Sequence, residues 1–494
     1  MGVLESIILG FQVSFQPINL LYCFMGVLIG TLIGVLPGIG PVGAMAMLLP
    51  ITFHAPPVSS IIMLAGIYYG AQYGGSTTSI LVNIPGEAST VVTCLDGYQM
   101  ARQGRAGPAL GIAAFSSFIA GTLGVVGLMM FAFPLARAAL KFGPPEYFSL
   151  MVLGLILLTY LAQKSLIKAI IMATLGLLLS YIGLDMVSGQ VRFTLNITEL
   201  LEGVGIIPIV MGLFGIAEIL ENMEVAITRS IFKTHVKGLF PTIKDWVNSI
   251  WAILRGTVLG FFLGILPGGG AVLASFTSYA VEKRLAKQPE RFGKGAIEGV
   301  AGPESANNAA SSGAFIPLMT LGIPSNVIMA MLFAGLLIHG LTPGPLLIKE
   351  HPDIFWGIVT SMYIGNVMLL ILNLPLIGLW VQLLKIPFRV LFPMIILFCL
   401  VGVYSVNNSV LDIGLMIIFG VFGYIMRKCD YEPAPLVLAY VLGPMLEQAL
   451  RQSLKMSDGS FTIFLLRPIS GVSLAIGALL LTISVVTLIK RKTY

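Results

Sequence analysis

The chain has 494 residues, of which 57% are hydrophobic and 10% charged, and 28 basic against 22 acidic residues leave a net charge of +6. A soluble domain carries roughly 25% charged residues, so the composition excludes a large soluble enzyme and points to an integral membrane protein. The positive balance needs no nucleic acid, because basic residues in short cytoplasmic loops account for it. Apolar runs of about 17–28 residues are helix-length, whereas a membrane barrel shows short alternating segments. The predicted class is therefore all-α, with about 11–12 spans in all.

A short interfacial helix is predicted over 2–15, and the opening residues lack the basic n-region of a cleavable signal peptide. An apolar run over 18–36 reaches Gly34-Val-Leu-Pro-Gly-Ile-Gly40, and 42–53 returns from it. Proline lacks an N–H and glycine lacks a Cβ, so Pro-Gly-x-Gly ends a helix and bares its backbone. Twelve residues of helix rise only about 18 Å, short of a bilayer core of about 30 Å. The segment 18–53 is thus predicted as a re-entrant or broken-helix hairpin. A broken helix follows over 57–84, interrupted at Gly74-Gly75-Ser76-Thr77-Thr78 and stopped at Ile84-Pro85-Gly86. A polar stretch over 87–105 reads as a cytoplasmic loop holding Asp96 and Arg102. Further spans fall near 107–133, 146–162, 165–184 and 204–223, closing a first repeat over 1–223.

A polar cytoplasmic linker over 224–247 separates this repeat from a second over 248–450. There the hairpin 248–281 turns at Gly264-Ile-Leu-Pro-Gly-Gly-Gly270, and a broken helix over 305–340 follows a basic loop. Spans near 354–382, 388–404, 408–426 and 433–447 come next. The region 451–494 supplies a last span and the tail Lys490-Arg491-Lys492. Pro37 falls on Pro267, Gly74 on Gly313, Pro85 on Pro324 and Pro134 on Pro375, in the same order, as in a duplicated fold. With the tail cytoplasmic, twenty basic residues lie inside and seven outside, and Arg255 sits within an apolar run. Five spans then separate the two hairpins, so they enter from opposite faces as an inverted-topology repeat.

Paired breaks in a duplicated membrane protein mark a transport site. Helix N-termini offer free N–H groups to a carboxylate, and unwound carbonyls with hydroxyl and amide oxygens suit Na⁺. The predicted substrate-binding residues are Gly38, Gly40, Gly74, Gly75, Ser76, Thr77, Gly268, Gly269, Asn307, Asn308, Ser311, Ser312, Ser325 and Asn326. The predicted cation-binding residues are Thr78, Asn83, Pro85, Ser305, Thr320 and Pro324. Taken singly, any of these is as well read as a packing or capping residue; their clustering at paired breaks carries the site reading. No lysine or arginine lies in these tracts, so an anion would enter with Na⁺ or H⁺. Glu87 and Glu304 are read chiefly as helix-start acids, with cation or proton binding as the alternative. Arg255 and Asp412 are either paired structural charges or gating elements.

The histidines and the four cysteines are scattered, and the chain has no HExxH, no nucleophile elbow and no Gly-Lys-Ser/Thr phosphate loop. An enzyme is therefore not expected, nor any cofactor beyond Na⁺ as coupling ion.

Several longer motifs resemble the large membrane subunit of tripartite tricarboxylate transporters, the TctA family. They include Leu36-Pro-Gly-Ile-Gly-Pro41, Tyr69-Gly-Ala-Gln-Tyr-Gly-Gly-Ser76, Asn83-Ile-Pro-Gly86, Asp96-Gly-Tyr98, Phe292-Gly-Lys-Gly295, Pro303-Glu-Ser-Ala-Asn-Asn308, Leu321-Gly-Ile-Pro324 and His339-Gly-Leu-Thr-Pro-Gly-Pro345. The resemblance spans roughly 18–450. It implies a permease of the bacterial inner membrane, driven by a cation gradient that is usually Na⁺. It also implies a small four-helix membrane subunit, a periplasmic solute-binding protein that delivers a carboxylate, and an elevator-type, ion-transporter-like mechanism. Ser325-Asn326 and Gln99 depart from the family pattern, and the first departure lies at the proposed site. A passive channel and a structural membrane subunit without its own substrate site are the competing readings.

Overall fold

The computed structural model describes residues 3–36, 40–160, 165–185, 188–224, 238–384 and 388–492. The first Pro-Gly turn, with Gly38, and most of the 224–247 linker lie outside the described residues. The fold is helical: α1 Val3–Ser14, α2 Pro17–Val35, α3 Gly40–Thr52, α4 Pro57–Val82, α5 Val91–Arg102, α6 Ala106–Ala139, α7 Pro144–Tyr160 and α8 Leu166–Ser180. A two-stranded hairpin, β1 Gly183–Leu184 and β2 Val191–Arg192, follows. Next come α9 Ile206–Val210, a π turn Met211–Ile216, α10 Ala217–Glu224, α11 Ile243–Ile265, α12 Gly270–Leu285, α13 Glu298–Leu321 and α14 Val327–Ile338. The chain ends with α15 Pro345–Glu350, α16 Pro352–Asn373, α17 Ile377–Leu383, α18 Phe388–Asn407, α19 Val410–Lys428, α20 Pro433–Met456, α21 Ile463–Leu466 and α22 Pro468–Lys492. Among the described residues, α2, α6, α11, α16 and α19 are long and apolar enough to cross a membrane. Shorter apolar helices include α3, α7, α8 and α14.

Small residues set the closest helix contacts, as in membrane bundles where helices gain from backbone approach. Gly26, Gly30 and Gly34 of α2 face the carbonyls of Met63, Ile67 and Ala71 on α4; a Cβ on Gly30 would stand 2.6 Å from the Ile67 oxygen. Gly256, Gly260 and Gly264 of α11 meet the carbonyls of Gly302, Ala306 and Ala310 on α13 in the same way. In the reverse direction, Gly74 of α4 abuts the Thr31 carbonyl and Gly313 of α13 abuts the Phe261 carbonyl. The first-half and second-half glycines of α2 and α11 are 230 positions apart, and their carbonyl partners are 239 apart. Both long helices then stop on a left-handed residue, Asn83 at φ 58° and Gly322 at φ 72°, again 239 apart.

Three sequence expectations are corrected here. The tract 74–78 does not interrupt its helix: α4 runs unbroken to Val82, because Gly74 serves close packing and the hydroxyls of Ser76 and Thr78 find buried acceptors. The tract 305–313 is likewise continuous helix, and the break in the second half falls after it, between α13 and α14. The 87–105 stretch is not a loop but a 3₁₀ turn and α5, with Asp96 fully buried. Its carboxylate Oδ1 accepts the backbone N–H groups of Gly293, Gly295 and Ala296 at 2.7–2.9 Å, and Oδ2 accepts the Tyr279 hydroxyl at 2.9 Å. One buried acid thus gathers main-chain donors from the opposite half of the sequence, which satisfies its charge in place of water.

By contact the helices fall into two groups. In the first, α2 packs on α4, α11, α12 and α6 pack on α13, and α1 packs on α16. In the second, α7 packs on α20 and α22, α20 packs on α8, and α19 packs on the π turn. Arg255 forms a two-pronged ion pair with Glu282, at 2.8 and 2.6 Å. Asp412 sits in the first turn of α19, bonded to Ser409 and Asn407. Arg255 is thus a paired charge, whereas the Asp412 carboxylate accepts a neutral amide N–H at the start of α19.

Candidate functional site

A polar network fills the space between α4, α5, α6 and α13. Glu304 is its centre, fully buried, seven residues into α13 and therefore not at a helix start. Ser76 Oγ donates to its Oε2 at 2.6 Å, Asn307 Nδ2 approaches the same oxygen at 3.4 Å, and Thr93 donates to Oε1. Asn308 Nδ2 donates to the Glu304 carbonyl at 3.1 Å and to Asn307 Oδ1 at 2.6 Å. The Ser117 hydroxyl approaches that carbonyl at 3.5 Å. Ser76 also lies 3.0 Å from the carbonyl of Gln72, one turn earlier on α4.

Gln72 connects this network to a cavity of about 300 Å³. Its wall is lined by Tyr68 and Gln72 of α4, by Glu87, by 268–273 and 326–328 at the starts of α12 and α14, and from the second group by Leu158, Phe214 and Leu438. Three features suit an anion. The N-terminus of α12, sixteen residues long, opens at Gly270 on the cavity wall, where unpaired N–H groups and the helix dipole favour negative charge. Gln72 Nε2 is buried with no hydrogen-bond partner, while Gln72 Oε1 lies 2.5 Å from the Ser89 hydroxyl, whose single proton it shares with Glu87 Oε2. Asn326 Nδ2, beside the Tyr68 hydroxyl, also makes no hydrogen bond of good geometry, while Asn326 Oδ1 caps α14 by accepting Met329 N–H at 2.9 Å. A buried amide donor left unmade costs about 1–3 kcal/mol, and two on one cavity wall fit a ligand with oxygen acceptors.

The predicted residues divide among these places. Gly268, Gly269 and Asn326 line the cavity. Ser76, Asn307 and Asn308 belong to the Glu304 network. Gly75 packs against Glu87, and Thr77 faces a narrow space with Tyr73 and Ser117. Ser305, Ser311, Ser312 and Thr320 donate to carbonyls four residues earlier in α13. Thr78 ties α4 to the Val35 carbonyl at 2.7 Å. Asn83 and Pro85 are exposed beyond the end of α4, so the predicted cation residues are not gathered in one place. Ser325 hydrogen-bonds Gly268 through its backbone, Gly268 N–H to Ser325 O at 2.9 Å, which closes the second hairpin onto the α13–α14 break. Pro324 is buried in that break, and Gly40 opens α3 at φ 64°. Gln72, Tyr68 and Thr93 escape the sequence reading. Gln72 lies within the Tyr69–Ser76 motif, where a glutamine amid glycines and tyrosines was the available sign.

A family model described as "Tripartite tricarboxylate transporter TctA family" matches residues 20–438. The chain belongs to the TctA family. It is thus a component of a tripartite tricarboxylate transporter, a multi-pass membrane protein from a transporter family rather than an enzyme family. An Agrobacterium vitis protein described as "Uncharacterized 52.8 kDa protein in TAR-I ttuC' 3'region" is 51% identical over all of this TctA-family chain and 98% of its own length. A second from the same organism, "Uncharacterized protein in TAR-II ttuC' 3'region", is 52% identical over 47% of this chain and 96% of its own. No solved structure matches.

Proposed function

We propose that this chain is the permease subunit of a binding-protein-dependent transporter that carries a di- or tricarboxylate, or a related organic anion, into bacteria across the inner membrane. Uptake is secondary active, driven by an inward gradient of Na⁺ or H⁺. The observation that carries the reading is the cavity at the 268–270 turn, where the α12 N-terminus converges with two amide donors that have no hydrogen-bond partner. Its wall holds no lysine or arginine but does hold Glu87 and Glu432. An anion entering beside the Glu87 carboxylate needs an accompanying cation, which argues for symport rather than a bare anion path.

The cavity is also lined by helices of both contact groups, which supports a mechanism in which one group moves against the other with the substrate between them. The matched glycine contacts of α2–α4 and α11–α13, with the basic residues biased to one side, support an inverted repeat with two hairpins and a cytoplasmic C-terminus. A small four-helix membrane subunit and a periplasmic solute-binding protein complete the system. Uptake of labelled carboxylate by cells expressing all three components tests the reading: saturable uptake that collapses with the cation gradient supports it. Gradient-independent flux indicates a channel, and no uptake with an assembled complex indicates a structural subunit.

A further inference from the structure

We propose that Glu304 is the site where the coupling cation is held, a single H⁺ or Na⁺ taken from water on one side and returned to water on the other. The inference rests on the symport reading above and locates its ion. The carboxylate is fully buried among α4, α5, α6 and α13, and its partners are all hydroxyl or amide groups. The titratable groups that bear on it are Tyr73 on α4, Cys94 on α5 and Glu87, and none is basic. The nearby arginine of α11, Arg255, is already engaged by Glu282 of α12. Among the described residues, then, no fixed cation pairs with Glu304. An uncompensated carboxylate at such depth is expensive, and intramembrane acids that persist serve ion or proton transfer.

The hydroxyl geometry suits two states. Ser76 has one hydroxyl proton and two acceptors in reach, Glu304 Oε2 at 2.6 Å and the Gln72 carbonyl at 3.0 Å. With Glu304 protonated, its O–H donates to Ser76, which turns its own proton to Gln72. With Glu304 ionised, Ser76 and Thr93 both donate to the carboxylate and leave their lone pairs, with Asn307 Oδ1, as oxygen ligands for Na⁺. Gln72 is the residue whose free amide faces the cavity. Cation occupancy at Glu304 therefore reaches the anion's donor through one turn of α4.

The test uses the purified full-length protein in lipid nanodiscs. Thermal unfolding is followed in NaCl against choline chloride at constant ionic strength, and the infrared carboxylic-acid band is followed across a pH series. For a Na⁺ site, a saturable NaCl shift appears in the wild type and is lost in Glu304→Gln. For a proton site, a pH-dependent carboxyl band appears and is lost in the same variant. Thr93→Val, which keeps shape and loses one donor to the charged form, moves the half-saturating Na⁺ concentration or proton activity about tenfold. Neither response in the wild type, or an unchanged response in Glu304→Gln, overturns the proposal. If that variant does not fold, unmoved midpoints in Thr93→Val and Ser76→Ala overturn it instead. A Glu304-dependent cation response without any carboxylate uptake supports this site and contradicts the transport reading.

Discussion

Replacing Gln72 by glutamate tests the anion site with little change of shape. The Oε1 acceptor for the Ser89 hydroxyl is kept, while the unpartnered Nε2 donor becomes an oxygen. A hydrogen bond between a neutral donor and a carboxylate contributes about 1.5–3 kcal/mol, equivalent to about 10- to 150-fold in affinity. Charge repulsion adds to this when the new side chain is ionised. KM for uptake should therefore rise by at least about tenfold. Gln72 is fully buried, so the new carboxyl group should also lower the melting temperature of the purified protein, which is the control that the variant remains folded in the uptake assay. Initial rates of labelled-carboxylate uptake, measured over a substrate series in cells expressing the three-component system, give KM and Vmax separately. A KM within about twofold of the wild-type value, below the effect of even one weak hydrogen bond, would refute the placement of the substrate against Gln72.

Three other outcomes follow from the same contacts. Asn326→Asp keeps the cap to Met329 N–H and loses the second cavity donor; it should weaken uptake by a similar factor, with the thermal midpoint as its control. Gly30→Leu and Gly260→Leu should each destabilise the protein by about 1–3 kcal/mol or more through overpacking, since both meet a facing carbonyl; unfolding in detergent measures this, and a harmless Gly260→Leu would contradict the close α11–α13 contact. Asp96→Asn replaces a carboxylate that gathers three main-chain N–H groups and Tyr279, and should cost about 3 kcal/mol, read as a lower melting temperature; an unchanged melting temperature would show that this junction is not structural.

Much of the architecture was legible because the bilayer restricts what a chain can do. Apolar length marks a helix, and Pro-Gly marks its end, so α2, α11 and the stop after α13 could be located from the sequence. The proposed repeat rests on Pro37 and Pro267 in the sequence, and the glycines of α2 and α11 add matching backbone contacts to α4 and α13. The tracts at 74–78 and 305–313 misled because glycine and serine break an isolated helix yet permit tight packing of a buried one. Asp96 and Thr93 were misplaced for a related reason. Their stretch looks solvated by composition, and only tertiary contacts with 293–296 and Glu304 show that its polar groups are satisfied internally. Gln72 was missed because an unmade hydrogen bond has no sequence signature.

The most direct test of the account is reconstitution of the permease with its small membrane subunit in proteoliposomes, with the binding protein and labelled carboxylate outside. Accumulation should require an inward Na⁺ or H⁺ gradient and should vanish when an ionophore dissipates that gradient. Carboxylate that equilibrates at the same rate with no gradient would contradict cation-coupled symport.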